Sequence, residues 1–420
     1  MKGLFKNQLR GGALYYAVVV TLLLSMIAMG FILLNRLWFR EEVLFSKNRT
    51  LNDDLDSASE LLMAKPGLVN PGETKEIDLY GDSSLVKIEV KKWGLLRLIN
   101  TSAQWRSLLL QRASLYSELM KKPDALYLSD RNKFLSLVGK CTIKGDCSLP
   151  ALGIRAGEMD GGTFTGKRMI DGKIYQSGKS LPGLSPDLLR DWSGYLDKKY
   201  RKDDSIVKVN ILGRNPVIRN SFREETLVLD GGKKLSLQNM DLSGNIIVVA
   251  EDTLLIDSSA RLQDVLVYAK TIILSDEVKG AFQLYARNNI SIGSHCTLRY
   301  PSFAVCLARH TPCKITLGQG SSVIGGILIN SEDDVKGANR LEMTEGNKLA
   351  GMIYVEGEVC FNGEVYGNMY CNSFYLDTPR AYYENFLKDA VIDSRSVQAK
   401  FGSFVTAEGP HQLKFIKQCL

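Results

Sequence analysis

Histidine is nearly missing, 3 in 420 residues, and the last of only 4 tryptophans is Trp192. Three histidines leave no Ser-His-Asp set to nominate. Neither sign of charge dominates: 53 Lys+Arg against 46 Asp+Glu give a net +7 spread over the whole length, which excludes the concentrated basic face of a nucleic-acid binder. No nucleic-acid partner is expected. Proline is sparse at 11, while 45% hydrophobic residues exclude a disordered or collagen-like chain and supply a sizeable core.

What is present begins with an anchor. Between Arg10 and Arg36 lie 25 residues without a charged side chain, and Leu14–Leu34 is apolar apart from two tyrosines, Thr21 and Ser25. As a helix this stretch spans roughly 30 Å, enough for a bilayer, and a lone span must satisfy its backbone internally. A cleaved secretory signal is the rival, with a shorter apolar region and a small-residue cleavage site, which Asn35-Arg36-Leu37-Trp38 does not provide. Lys2, Lys6 and Arg10 precede the span, and Arg36, Arg40, Lys47 and Arg49 follow it, so charge barely discriminates orientation. A ten-residue tail before a first span is the signal-anchor arrangement, which places the bulk of the chain outside the cytoplasm.

The run Arg10-Gly11-Gly12-Ala13-Leu14-Tyr15-Tyr16-Ala17 resembles the amino terminus of type IV pilin-like proteins, in particular atypical minor pilins and pseudopilins. That resemblance implies processing by a prepilin peptidase between Gly12 and Ala13. Most pilins carry glutamate at the fifth mature position; here it is Ala17. Further on, Thr50 with Asp53 reads as a capping box, and Leu51, Leu55, Ala58 and Leu62 form one apolar stripe ending before Pro66, the pattern of a stalk helix.

From residue 76 the period changes to two. Val86, Ile88 and Val90 alternate with Lys87, Glu89 and Lys91, and strands are expected again at Leu95–Thr101 and Ala103–Leu110, giving a small antiparallel module. Trp93 and Trp105 there read as packing residues or as a ligand platform.

The longest pattern runs from about 245 to 376. Apolar triplets centred on residues 248, 267, 284, 305, 327, 353 and 369 recur at intervals of 19, 17, 21, 22, 26 and 16. A second short strand follows each, marked by Leu255, Ile273, Ile290 and Ile292, Ile315 and Leu317, Leu341 and Met343, Val359 and Phe361, Phe374 and Leu376. One such unit cannot bury its inward side chains, whereas stacked units share an interior and pair every strand above and below. The fold class expected is therefore mainly β: a transmembrane helix, a small antiparallel module, then a parallel β-helix, expected to be right-handed, with a helical cap. Val138–Leu149 reads as its first turns and loosely resembles the stacked strands of bactofilins. Ser185-Pro186 with Leu188, Trp192 and Tyr195 predicts a helical insertion covering an end or side of the coil, and Thr378-Pro379 with Tyr382, Phe386 and Ala390 predicts a capping helix. The expected domains are a basic cytoplasmic tail 1–12, a membrane helix 13–35, a stalk helix 36–66, a β module 67–130, a β-helix 131–376 with an insertion near 185–198, and a capping helix and extended tail 377–420.

Candidate chemistry is thin. Gly161–Lys167 matches most of a phosphate-binding loop, but Arg168 stands where Ser or Thr must meet magnesium. His295, Cys296, Cys306, His310 and Cys313 offer five soft donors at no standard zinc spacing. Of eight cysteines, Cys141 with Cys147 and Cys360 with Cys371 are the candidate disulfides outside the cytoplasm, against the alternative of buried free thiols. Asp252, Asp257, Asp264, Asp276 and Glu277 sit near predicted corners, where a carbohydrate-active coil would place its acids and where solvated surface charge also belongs. No cofactor, no metal and no catalytic residue is expected. The function expected is that of a non-enzymatic, membrane-anchored envelope structural or assembly protein, pilin-like, with membrane and protein partners. The alternatives are a cytoplasm-facing bactofilin-like scaffold and a glycan-binding or glycan-cleaving coil.

Overall fold

The structure, a computed structural model, describes residues 11–81, 85–120, 122–159, 161–185, 192–197, 199–209, 215–331, 337–378, 381–396 and 411–419. Strand accounts for 55% and helix for 16%. Two compact units divide the chain: residues 1–59, 76–87 and 101–111 form the first, and 60–75, 88–100 and 112–420 the second.

Helix α1 runs unbroken over Gly11–Ala64, about 80 Å at 1.5 Å per residue. The segments expected as membrane helix and stalk helix are thus one helix, and the expected new start at Thr50 is absent. The Thr50 hydroxyl instead donates back to the Ser46 carbonyl at 3.1 Å, the bond of a residue inside a helix. The stripe itself is as expected: Leu51, Leu55, Ala58 and Leu62 are each at most 2% exposed. Full burial of each leucine contributes about 1.5–3 kcal/mol. Ser57 and Tyr80 share a 2.6 Å hydrogen bond within the first unit.

The small sheet is antiparallel, with strands β1 (Thr74–Asp78), β2 (Leu85–Trp93), β3 (Leu96–Trp105) and β4 (Leu108–Met120) in order. The turn between β3 and β4 falls at Arg106-Ser107, inside the expected strand Ala103–Leu110, because Arg106 takes a left-handed φ of 53° and closes a two-residue hairpin. The residues expected to trail as an extended tail supply a fifth strand: His411–Cys419 pairs antiparallel with β4, from His411 against Met120 to Cys419 against Ala113.

The coil is a parallel β-solenoid of about 11 turns. A turn such as the third carries three short strands, 246–249, 253–256 and 261–263, and strands of successive turns pair parallel and in register, as in Leu266–Ala269 against Gln283–Ala286. Inward positions form one continuous lumen: Val248, Val267, Leu284, Ala304, Ile327, Ile353 and Met369 stack along it, all buried. On the second strand of the early turns the inward residues are Leu254 with Ile256 and Ile272 with Leu274. Leu255 and Ile273 were expected there, but they point outward, and Ile273 is 37% exposed. In an all-apolar run such as Leu254-Leu255-Ile256, alternation cannot choose the face, and a slip of one residue inverts it.

The order of stacking departs from the order of the sequence. Ser205–Lys208 and Val217–Asn220 make the first turn, pairing with 227–230 and 241–244. The chain then winds through to 368–393, and on that turn sit residues 126–144: Met369 pairs with Leu126, Leu387 with Leu137 and Ile392 with Ile143. Residues 147–149 follow, and Ile174–Gln176 stack on them last. The segment expected to open the coil therefore closes it. The expected capping helix is replaced by strands Tyr382–Glu384, Phe386–Lys388 and Val391–Asp393, two of which complete the ninth turn. Its Tyr382, Phe386 and Ala390 fit helical spacing, but Asn385 and Asp389 both take φ above 50°, which breaks a helix. Thr378 is described and Pro379 lies outside the described residues.

The segment from 177 returns along one side of the coil. Ser180 accepts from Tyr127 at 3.2 Å, Pro182 accepts from Tyr354 at 3.0 Å, and Asp197 pairs with Arg309 and Arg287 at 3.4 and 3.3 Å. These partners belong to the tenth, eighth, sixth and fifth turns. The insertion thus covers a side of the coil. Trp192–Leu196 is helical, while Pro186 and Leu188 lie outside the described residues. Tyr195 packs on Tyr268, which stacks on Tyr285 at 4.7 Å.

Corners are held by small and amide residues. Asn339 and Asn347 each accept from the backbone N–H of the turn below, Cys313 and Ser321, at 3.0 Å. Gly325, at φ 141°, lies against the Ser302 carbonyl, where a Cβ has no room.

Candidate functional site

Two features of the described residues have the geometry to meet a partner: the apolar half of α1 and a groove near the first turns. The most apolar window of α1 has a mean hydropathy of 2.7, and none of it is buried. Leu14, Tyr15, Phe31 and Leu34 are all at least 65% exposed. By length and composition this helix meets the requirement for crossing a bilayer, a test that an N-terminal signal sequence also passes. Gly12 and Ala13 sit in the first helical turn.

The groove encloses about 600 Å³ between the third strands of the early turns and the C-terminal strand; its lining includes Arg219, Ser243, Gln263, Asp264, Lys417 and Phe222. Arg219, Ser243 and Gln263 stand in one row because their strands pair in register. That row is spaced at about 4.8 Å per turn. Lys417 binds both carboxylate oxygens of Asp264 at 2.5 Å, and Asp264 takes a left-handed φ of 64°. Its carbonyl accepts the Trp93 indole N–H at 2.9 Å, and Trp93 meets Phe222 edge to face at 5.1 Å. Trp93 is accordingly a packing residue. Trp105 lies beneath the Arg106 and Lys47 cations. The nearby Cys419 thiol is pushed up to about 12 by burial and by the Asp264 carboxylate.

The acidic residues singled out from sequence each serve a corner. Asp252 pairs with Lys270 one turn on at 3.0 Å, which holds its carboxyl below the usual range. Asp257 accepts from the Ser259 hydroxyl at 2.6 Å and Asp276 from the Ser294 N–H at 2.6 Å. Glu277 carries φ 62° at its bend. The glycine-rich run near 161 forms a two-stranded hairpin, Glu158–Met159 against Gly162–Thr163, and no helix follows it to receive a phosphate.

All eight cysteines are free thiols. Cys141 donates to the carbonyls of Val138 and Leu387, and Cys147 to that of Gly145, so neither nominated partner meets the other. Burial pushes the Cys147 thiol up to about 12. Cys371 points into the lumen, whereas Cys360 sits among Glu342, Asp377 and Lys314 on the outer surface. Those orientations leave the second nominated pair unbridged. Among the described residues no group of three or more His, Cys, Asp or Glu is placed to hold a metal, and of the five donors between 295 and 313 Cys296 donates to the Ser275 carbonyl. Sequence reasoning missed the groove because its wall is the C-terminal strand, whose pairing with β4 spans about three hundred residues and leaves no local signal. Comparison with protein-family models, with curated proteins and with solved structures finds no match to this chain.

Proposed function

We propose that this chain is a membrane-anchored structural or assembly protein of a bacterial envelope, non-enzymatic, with its coil outside the cytoplasm. The observation that carries this reading is α1: one helix whose first half is apolar and unburied and whose second half buries a single stripe, so that one rigid element joins lipid to folded protein. A pilin-like role adds that the exposed half of α1 packs against neighbouring subunits after cleavage between Gly12 and Ala13. Protease treatment of intact and of permeabilised cells tests the side: digestion of the coil region only after the outer envelope is breached, with the inner membrane intact, supports it. Protection until the inner membrane is lysed refutes it. Amino-terminal sequencing of the mature protein tests the processing, and a chain that still begins before Ala13 removes the pilin-like part.

A second reading, a scaffold of coils joined end to end, is favoured by the terminal turns. Among the described residues nothing pairs with the outer edges of Ser205–Lys208 or Ile174–Gln176. Ile206, Val217, Ile174 and Tyr175 are 49–64% exposed there. Unpaired parallel edges of this kind are templates for a further strand. Sedimentation of the full chain in detergent decides it: concentration-dependent chains, lost on placing lysine at Ile174 and Ile206, support end-to-end growth.

A further inference from the structure

The structure assigns a headgroup-binding stripe for anionic phospholipid to the membrane-proximal part of α1, formed by Arg36, Arg40 and Lys47 and closed by Arg106 of the β3–β4 hairpin. The assignment rests on the reading of α1 as a retained membrane span, and it adds which lipid the span selects. On a helix of 3.6 residues per turn, positions 36, 40 and 47 fall within about 40° of one another. Glu41 and Glu42 lie at least about 100° round from that stripe, as does Arg49. Arg36 and Arg40 are exposed and Lys47 is half-buried. The first acid on the stripe itself is Asp54, which is buried about two turns beyond Lys47. Three cations therefore share one face with no carboxylate among them.

The far end of the stripe is a built contact. Trp105, at the hairpin tip, has the Lys47 ammonium 5.8 Å and the Arg106 guanidinium 4.7 Å from its ring centroid, so one indole gathers two cations at the same level of the helix. Cations held on one ring repel each other, and a phosphate beside them offsets that repulsion. The near end lies at the bilayer. Leu34 closes the apolar run, yet exposed apolar side chains continue past it: Leu37 at 58%, Trp38 at 80%, Phe39 at 68% and Phe45 at 74%. From Leu14 to Phe45 the helix rises about 46 Å against about 30 Å of hydrocarbon, so a spanning helix tilts and carries 36–45 through the headgroup layer. Tryptophan at that depth anchors at the interface, and arginine stems extend so that their heads reach phosphate oxygens. A guanidinium meets a phosphate with two parallel N–H donors, which favours a phosphodiester carrying net charge over a zwitterionic headgroup whose own ammonium competes.

The test uses the full chain in a neutral detergent, titrated separately with phosphatidylglycerol, phosphatidylcholine and inorganic phosphate, with bound molecules counted by native mass spectrometry. Phosphatidylglycerol should bind more tightly than phosphatidylcholine, with a preference that shrinks as salt rises, and inorganic phosphate should not be retained. Arg36→Gln and Arg40→Gln should each weaken phosphatidylglycerol roughly fivefold, the factor for one cation near an anionic surface, and Arg106→Gln should weaken it in the same direction. Arg49→Gln removes the same charge from the other side of the helix and should leave binding unchanged. All four side chains are exposed, so these substitutions spare the fold. Equal affinity for the two lipids, an equal loss in all four variants, or inorganic phosphate bound as tightly as the lipid would overturn the stripe. Alkaline carbonate extraction of membranes holding the chain separates this failure from that of the span. A chain that stays with the membrane and shows no lipid preference loses the stripe alone, whereas a chain released to the supernatant loses span and stripe together.

Discussion

Leu137→Ala probes the junction where residues 126–176 sit on the ninth turn. Leu137 is fully buried and pairs with Leu387 across that junction. Around it Met369–Cys371 pair with Leu126–Leu128, Val391–Asp393 pair with Thr142–Lys144, Asn368 donates to the Asp124 carbonyl at 2.7 Å, and Tyr127 stacks on Tyr370 at 5.6 Å. Truncating a buried leucine to alanine costs about 3 kcal/mol through lost transfer energy and the cavity left behind. In a stack of this kind each turn is stabilised by its neighbours, so the loss stays local. Hydrogen exchange followed by mass spectrometry should show amides of 126–149 exchanging roughly 150-fold faster, the factor that about 3 kcal/mol represents for opening-limited exchange. Amides of 246–292 should be unchanged. Leu254→Ala, the same chemistry in the third turn, should give the reverse pattern, since Leu254 is also fully buried. Equal loss of protection along the whole coil in either variant would mean that the turns open as one unit, and the nearest-neighbour reasoning would fall.

Four further outcomes follow from particular contacts. Leu55→Ala should lower the stability of the first unit by about 2–4 kcal/mol, read from denaturant midpoints in detergent, because Leu55 is 1% exposed. Lys417→Met leaves the Asp264 carboxylate, 11% exposed, without its cation. A cost of about 1–3 kcal/mol and earlier proteolysis of the C-terminal strand are expected, and an unchanged midpoint would show the pair to be idle. Gly325→Ala should destabilise by at least about 2 kcal/mol, because both its backbone conformation and the Ser302 carbonyl oppose a methyl; a wild-type melting temperature would contradict this. Burial raises the Asp124 carboxyl above the ordinary aspartate range, against the opposing hydrogen bond from Ser148. A raised value in the folded state means that stability is greatest where the unfolded group is still protonated and declines as pH rises through the folded value. Asp124→Asn should therefore flatten the fall in melting temperature as pH rises above about 4, and an unaltered slope would remove Asp124 as its source.

Legibility in the sequence followed locality. The coil was readable because each turn repeats the same demand, an apolar triplet facing a lumen, and insertions at corners do not disturb it. The stripe of Leu51 to Leu62 was readable for the same reason, as one period seen over about three turns of helix. Faces were lost where alternation was lost: Leu254, Leu255 and Ile256 are all apolar, and only the packed lumen distinguishes them. The helix expected from Tyr382, Phe386 and Ala390 failed because a spacing of four is also met by two short strands joined at Asn385, a residue tolerant of left-handed φ. Thr50 misled because a capping pair is meaningful only where the backbone actually begins a helix. Nothing local announces that Leu126 pairs with Met369 or that Lys417 meets Asp264, since both depend on segments far apart in the chain. The thiols illustrate the same limit: closeness in sequence suggested Cys141 with Cys147, whereas each thiol turns to backbone carbonyls instead, Cys141 to Val138 and Leu387 and Cys147 to Gly145.

The transposed stacking order has a consequence for biosynthesis. A growing polypeptide delivers residues 126–176 first, yet the surface on which they rest, 368–393, leaves the ribosome some two hundred residues later. Until then Leu126, Leu128, Leu135 and Ile143 have no lumen to enter, so the early piece must wait as a sticky, unpaired fragment while nine turns assemble behind it. A factor that shields nascent apolar strands would act on this segment, and a circularly permuted gene that starts near 205 and appends 122–176 at its end would need that help least.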